Sequence, residues 1–150
     1  MTPPSYQFSL NRSDAVAAIT SSNEGRGWCN VTPVVEEEVA ELRVNYFGLW
    51  VNKGVPVASY VSTSPRKGVA QPSSLGLLHS RGRLGPERIT SLLDGAPFLT
   101  KQDHSQRGLL LEVANGESAQ LIVNVMCRLT EVLCDYTFNG EWLLAHYVAR

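Results

Sequence analysis

The segment from Glu117 to Cys134 constrains the fold more than any other part of this 150-residue chain. Its polar residues recur every three or four positions, a spacing that predicts a helix with one narrow solvent-facing stripe. Those polar residues are Glu117, Gln120, Asn124, Arg128 and Glu131. Because nearly every other position is apolar, the helix needs cover from a sheet and from a further element, either another helix or a second subunit.

The apolar excess of this helix has two explanations, and the sequence leaves both open. The apolar side chains can be buried inside the monomer, or they can form an interface with a protein partner or a second copy of the chain. Such an interface would be centred on Ile122, Val125, Met126, Leu129 and Leu133. We therefore keep these five residues as a candidate partner surface.

Strands are predicted in the first half of the chain from β-branched and aromatic residues. A first strand is expected at 28–32, with Pro33 ending its pairing. An alternating run at 42–51 is expected to pair with 55–61 across a turn at Asn52-Lys53-Gly54, where glycine supplies the left-handed residue. This region therefore predicts a β-hairpin.

Shorter elements are predicted on either side of this hairpin and before the long helix. A helix at 14–21 is capped by Ser13, and a second begins at Pro86 and ends before Asp94-Gly95. A loop that ends at Gln106 is expected to follow the second helix. Leucines at 75–78 are typical of a short strand, and the apolar run at 108–113 is typical of an interior strand.

The last residues of the chain carry the strongest turn sequence. Asn139-Gly140 suits the positive φ angles of a type I′ turn and predicts a terminal hairpin that ends at Val148. The alternative is a short C-terminal helix through Trp142, Ala145 and His146.

These elements predict one α+β domain over residues 1–150, a length that suits a single hydrophobic core. We expect a mixed, mainly antiparallel sheet of about five to six strands packed against one long helix and two short helices. A loose N-terminal lead-in at about 1–12 and a long loop at about 62–85 complete the expected organisation.

Charge is separated along the chain although the net charge is only −1. Residues 1–41 hold two basic and six acidic residues, and residues 112–150 hold two basic and five acidic ones. The middle, 42–111, holds nine basic residues against three acidic ones. A cationic middle between acidic ends favours an anionic partner for the middle.

The cationic residues concentrate in a stretch that is rich in glycine and serine. The candidate residues for binding an anion or a nucleic acid are Arg66, Lys67, His79, Arg81, Arg83 and Arg88. Guanidinium groups can hold phosphate or carboxylate with two hydrogen bonds. No aromatic residue lies between Tyr60 and Phe98, so this stretch lacks the stacking platform of single-strand binders. The other interpretation is a solvated basic loop.

Enzymatic chemistry has two candidates. The first is a nucleophilic Cys29 with His79, His104 or His146 as its base. The second is an acid–base group of Asp103 and His104 with Asp94 or Ser105, although adjacency in sequence does not establish shared geometry. Cys29 lies within a predicted strand, where a cysteine is more often a small buried hydrophobe. The remaining cysteines, Cys127 and Cys134, are expected in the core. No His, Cys or carboxylate spacing matches a metal site, and no nucleotide-binding loop occurs, so we expect neither a metal nor a cofactor.

The sequence predicts a cytoplasmic protein without a membrane segment. Its most apolar stretch, 119–133, is too short and too polar to span a bilayer, and the residues after Met1 do not resemble a secretory signal. Three cysteines with no repeated spacing do not indicate a disulfide framework.

The functional prediction is a non-enzymatic binding module, such as an adaptor, a chaperone-like protein or an immunity-type protein. It would act as a homodimer or with a protein partner, because the apolar helix and the cationic loop are binding features. The alternative is a binder of nucleic acid or a phosphorylated ligand through residues 63–88. A small Cys/His-dependent enzyme is the third possibility.

Overall fold

A computed structural model describes residues 5–9, 12–25, 27–35, 41–46, 49–52, 54–63 and 67–148. The described elements, in chain order, are β1 (Ser5–Ser9), α1 (Ser13–Gly25), β2 (Gly27–Val35), β3 (Glu41–Tyr46), β4 (Leu49–Asn52), β5 (Val57–Val61), β6 (Ser73–Leu78), α2 (Pro86–Leu93), β7 (Leu99–His104), β8 (Gly108–Val113), α3 (Ala119–Leu133) and β9 (Phe138–Val148). This architecture confirms the predicted α+β class with one longer and two shorter helices.

Among the described residues, the main sheet has seven strands in the order β1-β9-β2-β5-β6-β8-β7. Every described strand pairing is antiparallel. Strands β3 and β4 pair with each other in a separate two-stranded sheet. Strand β7 therefore forms one edge of the main sheet, and β1 forms the other.

One face of the main sheet carries the hydrophobic core. Cross-strand pairs of apolar residues run across it, because alternate residues of each strand point to the same face. In one row, Cys29 of β2 lies opposite Tyr60 of β5, which lies opposite Leu75 of β6, which lies opposite Leu111 of β8. All four side chains belong to a single buried cluster.

Helices α1 and α3 cover this face, and α2 packs against α3. The predicted polar stripe of α3 is confirmed, because Gln120, Asn124, Arg128 and Glu131 are exposed. The further element that the sequence predicts against α3 is another helix, and both α1 and α2 pack against it. Ser118 caps α3 by accepting a hydrogen bond from the Leu121 N–H at 3.4 Å.

The predicted hairpin across residues 52–54 is wrong. Strand β4 turns back onto β3, whereas β5 lies in the main sheet between β2 and β6. Lys53, in the predicted turn, lies outside the described residues. The predicted single strand at 42–51 is thus two paired strands, and Gly48 in the sequence was the available indication of a break.

Pro33 ends the pairing of β2 on one side only. The register with β5 stops at Val31, while the register with β9 continues through Pro33 to Val35. Proline lacks the N–H that a strand paired on both sides would need, so it is tolerated where one neighbour has already ended.

The predicted C-terminal hairpin is also wrong, and so is the alternative helix. Residues Phe138–Val148 form one strand that pairs with β2 on one side and with β1 on the other. Gly140 keeps a positive φ of 97°, and the register with β2 is irregular there. The conformational freedom of Gly140 therefore serves a bulge within β9 rather than a hairpin turn.

Two edge strands lie where the sequence predicted irregular chain. Strand β1 occupies part of the predicted lead-in, and β7 occupies part of the predicted loop between α2 and β8. The residues of β7, Leu-Thr-Lys-Gln-Asp-His, are mostly polar, so they carry little strand propensity of their own. Backbone pairing with β8 supplies the order that their side chains do not predict.

Candidate functional site

The structure brings four of the six predicted anion-binding residues to one place. His79, Arg81 and Arg83 follow β6, and Arg88 lies in α2 directly after them. Lys67 precedes β6, so a strand of about 17–20 Å separates it from the other four residues. Arg66 lies outside the described residues.

Asp103 of β7 lies at the centre of this cluster. Its carboxylate accepts hydrogen bonds from the backbone N–H of Leu84 at 2.9 Å and of Gly85 at 2.8 Å. The Arg83 guanidinium lies 3.7 Å from the same carboxylate. Asp103 therefore ties the start of α2 to the sheet edge and supplies an internal anion among the cations.

The protonation of Asp103 follows from these contacts. Burial alone would raise the pKa of this carboxyl group, but the two N–H donors, Arg83 and His79 outweigh it, so the pKa lies below its usual 3.8. Asp103 is consequently ionised at neutral pH.

His79 does not act as one of the cations. Burial lowers its pKa, and the neighbouring charges of Arg88 and Arg81 lower it further against the opposing effect of Asp103. Its Nδ1 accepts a hydrogen bond from the Arg81 N–H at 3.1 Å. The neutral imidazole helps to shape the loop before α2 and adds no charge to an anion site.

Arg81 has a structural partner. Its Nε lies 2.8 Å from the Asp135 carboxylate, and the Ser80 hydroxyl donates to the same carboxylate at 3.0 Å. The Asp135 N–H in turn donates to the Gly54 carbonyl at 2.9 Å. These contacts join the loop after β6 to the connection between α3 and β9, so Arg81 is less available to a ligand than its sequence suggests.

The remaining cations near β7 are exposed, while their acidic partners are shielded. The Arg83 side chain is 74% exposed and Asp103 only 10%. Lys101 is 55% exposed, and its partner Glu112, 2.7 Å away, is 25% exposed. Positive charge therefore faces outward along this edge although the ion pairs are formally neutral.

Strand β7 is the open edge beside these charges. Leu99, at its start, is 61% exposed and lies opposite Glu112 of β8. Leu110, on the same face of the sheet, is 36% exposed. A bulge between Thr100 and Gln102 interrupts the pairing with β8. The start of β7 thus offers backbone groups and the apolar side chain of Leu99 to a partner, and Leu110 of β8 lies on the same face one strand further in.

This part of the site was not predicted, because the sequence favours a loop between α2 and β8. Residues 99–104 are mostly polar and do not alternate between buried and exposed positions, so they carry no periodic signal for a strand. Asp103 and His104 had been considered only as an acid and a base. In the structure, His104 Nδ1 accepts hydrogen bonds from the Gln106 and Arg107 N–H groups at 3.0 Å and orders the turn before β8.

The five α3 residues predicted as a partner surface lie elsewhere. Ile122, Val125, Met126, Leu129 and Leu133 all belong to the buried core. They pack against the sheet and the other helices, so in this structure they are not available for docking. The outer side of α3 instead borders a groove of about 440 Å³.

This groove contains charges that pair with one another. Arg12 donates to the Asn124 side-chain carbonyl at 3.1 Å, and Arg128 lies 3.3 Å from the Asp94 carboxylate. A second cavity, of about 170 Å³, is lined by Tyr60, whose hydroxyl donates to the Asn23 amide oxygen at 2.6 Å. Both cavities hold polar groups that are already engaged within the protein.

The structure does not support Cys29 as a nucleophile. Burial, with a smaller contribution from Cys127, raises the pKa of its thiol to about 12. His146 lies opposite Cys29 across the β2–β9 pair, whereas His79 and His104 lie at the far side of the sheet. A fully buried thiol that stays protonated cannot attack a substrate. Burial also raises the pKa of Cys127, to about 11.

Within the described part of the chain, no three His, Cys, Asp or Glu side chains converge as metal ligands. None of the described helices combines the length and the apolar character needed to cross a membrane.

Comparison with family models, with curated proteins and with solved structures finds no match for this chain.

Proposed function

We propose that this protein is a non-enzymatic binding module, of the adaptor, chaperone-like or immunity type, which holds a protein partner at the β7 edge. The observation that carries the proposal is the combination of an open edge strand with the exposed Leu99 at its start. An exposed edge presents unpaired N–H and C=O groups that an extended segment can satisfy by adding a strand.

The features of β7 that discourage pairing with another strand protect only part of its length. Lys101 and the bulge beside it discourage indiscriminate strand pairing, as is common at natural sheet edges. They follow Leu99 and Thr100, so the first residues of the strand remain open. A partner that contacts Leu99 and Leu110 would bury apolar surface that the monomer leaves in water.

The segment added at β7 comes from a protein partner. In the homodimeric form of the proposal, this partner is a second copy of the chain. A cytoplasmic setting completes the proposal. It is supported by the three cysteines, which are all free thiols.

Selection from a library of random linear peptides tests the proposal. Selected peptides are measured against the wild type, against Leu99→Glu and against Val132→Glu, which places the same charge at an exposed apolar position of α3. We expect Leu99→Glu to weaken binding about tenfold or more, since about 1.4 kcal/mol of apolar contact is lost, and Val132→Glu to leave it unchanged. Equal binding to all three proteins, or no enriched peptide, would refute edge docking.

Sedimentation velocity of the same three proteins separates self-association from partner binding. A wild-type dimer that Leu99→Glu dissociates and Val132→Glu preserves would identify the second copy as the occupant of the edge. A dimer that resists both changes would place the dimer interface elsewhere and would contradict the homodimeric form of the proposal.

Nucleic-acid binding is the second candidate, and the outward-facing Arg83, Arg88 and Arg107 favour it. Its test is fluorescence anisotropy with labelled single- and double-stranded oligonucleotides at two salt concentrations. Binding that weakens steeply with salt and is lost when Arg83 and Arg88 are both changed to Ala would support phosphate contacts. Flat traces at low salt would remove this candidate.

A further inference from the structure

The two faces beside β7 differ in chemistry. Leu99 and Gln102 lie opposite Glu112 and Leu110 on the face that points away from the helices. Asp103 lies on the opposite face, because it pairs with the core residue Leu109. The sheet edge therefore has an outer side, on which Leu99 and Leu110 lie next to polar residues, and a second side that adjoins the start of α2.

The cations of the edge lie mainly beside the helical side. Arg83 contacts Asp103 there, and Arg88 lies in the helix that begins next to the Asp103-bound Gly85. Arg88 is close enough to His79 for its charge to lower the pKa of that imidazole. Among the described residues, Arg88 has no carboxylate within 4.0 Å. This side therefore presents guanidinium groups that are exposed and weakly compensated.

A strand added to β7 would continue the alternation of the sheet, with successive side chains pointing to opposite faces. Its residues on one face would lie beside Leu99 and Gln102 of β7, and its residues on the other would approach Arg83 and Arg88. Carboxylates are the side chains that guanidinium groups bind best, with two parallel hydrogen bonds.

From this juxtaposition we propose that the segment held at β7 is an extended peptide in which acidic residues alternate with apolar ones. This inference rests on the proposed edge docking and specifies the chemistry of its partner. The acidic residues face α2, and the apolar residues cover Leu99 on the other face of the sheet.

An acidic peptide fits the site better than a nucleic acid does. Phe98, the aromatic residue next to β7, is buried in the core and offers no stacking surface. The carboxylates of Asp103 and Glu112 lie among the cations along the strand, one on each face of the sheet. A continuous phosphate backbone would meet both carboxylates. The acids of an alternating peptide would meet only Asp103, which already accepts from two backbone N–H groups and lies 3.7 Å from Arg83.

The test uses three synthetic fluorescent peptides and measures their dissociation constants by anisotropy. The first alternates Glu with Val and Leu, the second has the same composition in separate acidic and apolar blocks, and the third alternates Lys with Val and Leu. We expect the first to bind at least tenfold more tightly than the others, because only it matches both faces. Its binding should weaken as salt rises, since exposed charges are screened.

Protein variants locate the contact. Arg83 and Arg88 changed together to Ala should weaken the first peptide about tenfold, while Arg128→Ala removes an exposed arginine on α3, away from β7, and should change nothing. Circular dichroism of each variant checks that the fold is retained. Equal binding of the acidic and basic peptides, or unchanged binding by the double variant, would overturn the inference.

The outcomes separate this inference from the edge-docking proposal. If selected library peptides depend on Leu99 but are not acidic, edge docking stands and the acidic preference fails. If no peptide depends on Leu99, both fail. If oligonucleotides bind, lose affinity in the double variant and displace the first peptide, the cations serve nucleic acid and the inference is overturned.

Discussion

The helix-covered centre of the sheet and the β7 edge are built from adjacent residues but obey different physical constraints. Leu110 and Leu111 are neighbours in β8, yet Leu111 is 1% exposed and packs under the helices, while Leu110 faces away from them. At the centre, contact with closely packed neighbours decides which side chain fits. At the edge, charge and open backbone groups decide what can bind.

This difference assigns stability to one region and binding to the other. Changes at the centre should lower the free energy of unfolding without altering the binding surface of the molecules that remain folded. Changes at the edge should do the reverse, because exposed side chains contribute little to folding. Matched substitutions in the two regions test whether stability and binding are divided in this way.

The largest effect is expected for Leu111→Ala, compared with Leu110→Ala. Loss of the buried Leu111 side chain removes transfer free energy and leaves a cavity, which together cost about 2–5 kcal/mol. The half-exposed Leu110 should cost less than about 1 kcal/mol. Urea unfolding followed by circular dichroism measures both. Similar losses of stability in the two variants would show that both faces of the sheet are equally covered, which would contradict the difference between them.

The next effect concerns Gly108, which begins β8. Its φ is 83°, and a Cβ atom there would overlap the Leu77 carbonyl of β6. Gly108→Ala combines left-handed strain with a backbone clash, and we expect a loss of about 2–4 kcal/mol.

Gly116→Ala is the matched control for this substitution. Gly116 has a φ of 85°, but no atom lies within 4 Å of a Cβ built on it, so it isolates the strain of about 1–2 kcal/mol. Thermal or urea unfolding gives both values. If the two variants lose the same stability, the clash with the β6 backbone adds nothing to the cost of Gly108→Ala, and left-handed strain explains the whole loss.

A smaller effect is expected for Asp103→Asn, at the boundary between the two regions. The amide can accept from only one of the two N–H donors and carries no charge, so near neutral pH the variant should lose about 1–2 kcal/mol.

The lowered pKa of Asp103 predicts how the stability difference between the wild type and Asp103→Asn changes with pH. The pKa of Asp103 lies below 3.8 in the folded protein, so its contribution to stability is present above that pH and is lost as pH falls through the folded-state pKa. The gap between wild type and Asp103→Asn should therefore close on acidification. A gap that is constant with pH would mean that the carboxylate charge is irrelevant to the start of α2.

Long, periodic elements of this fold could be predicted from the sequence. Helix α3 follows from its polar stripe, and α2 from Pro86 and the Asp94-Gly95 stop, where Asp94 is left-handed with φ 50°. Strand β7 could not be predicted in the same way, since its order comes from a neighbour rather than from its own residues. Likewise, the turn preference of Asn139-Gly140 is overridden because β9 pairs with β2 before and after these residues, at Phe138 and from Trp142 onward, which leaves them in a bulge.

The candidate site was predictable only in part, for a related reason. Its arginines are visible in the sequence as a cluster. Their partners Asp103 and Asp135 lie far along the chain, and no local pattern reveals that they neutralise Arg83 and Arg81. The loss of charge on His79 is equally a consequence of burial, which only the fold determines.

The smallest effect on stability is expected for Leu99→Ala, because more than half of this side chain already lies in water and its removal should cost within about 0.5 kcal/mol. The same substitution should weaken the alternating acidic peptide several-fold, since the apolar contact is made only in the complex. Urea unfolding and peptide anisotropy on one preparation measure both quantities. A stability loss as large as that of Leu111→Ala would mean that another part of this chain packs on Leu99 in solution. The edge would then be closed to a partner, and Leu99 would contribute to the stability of the fold rather than to binding.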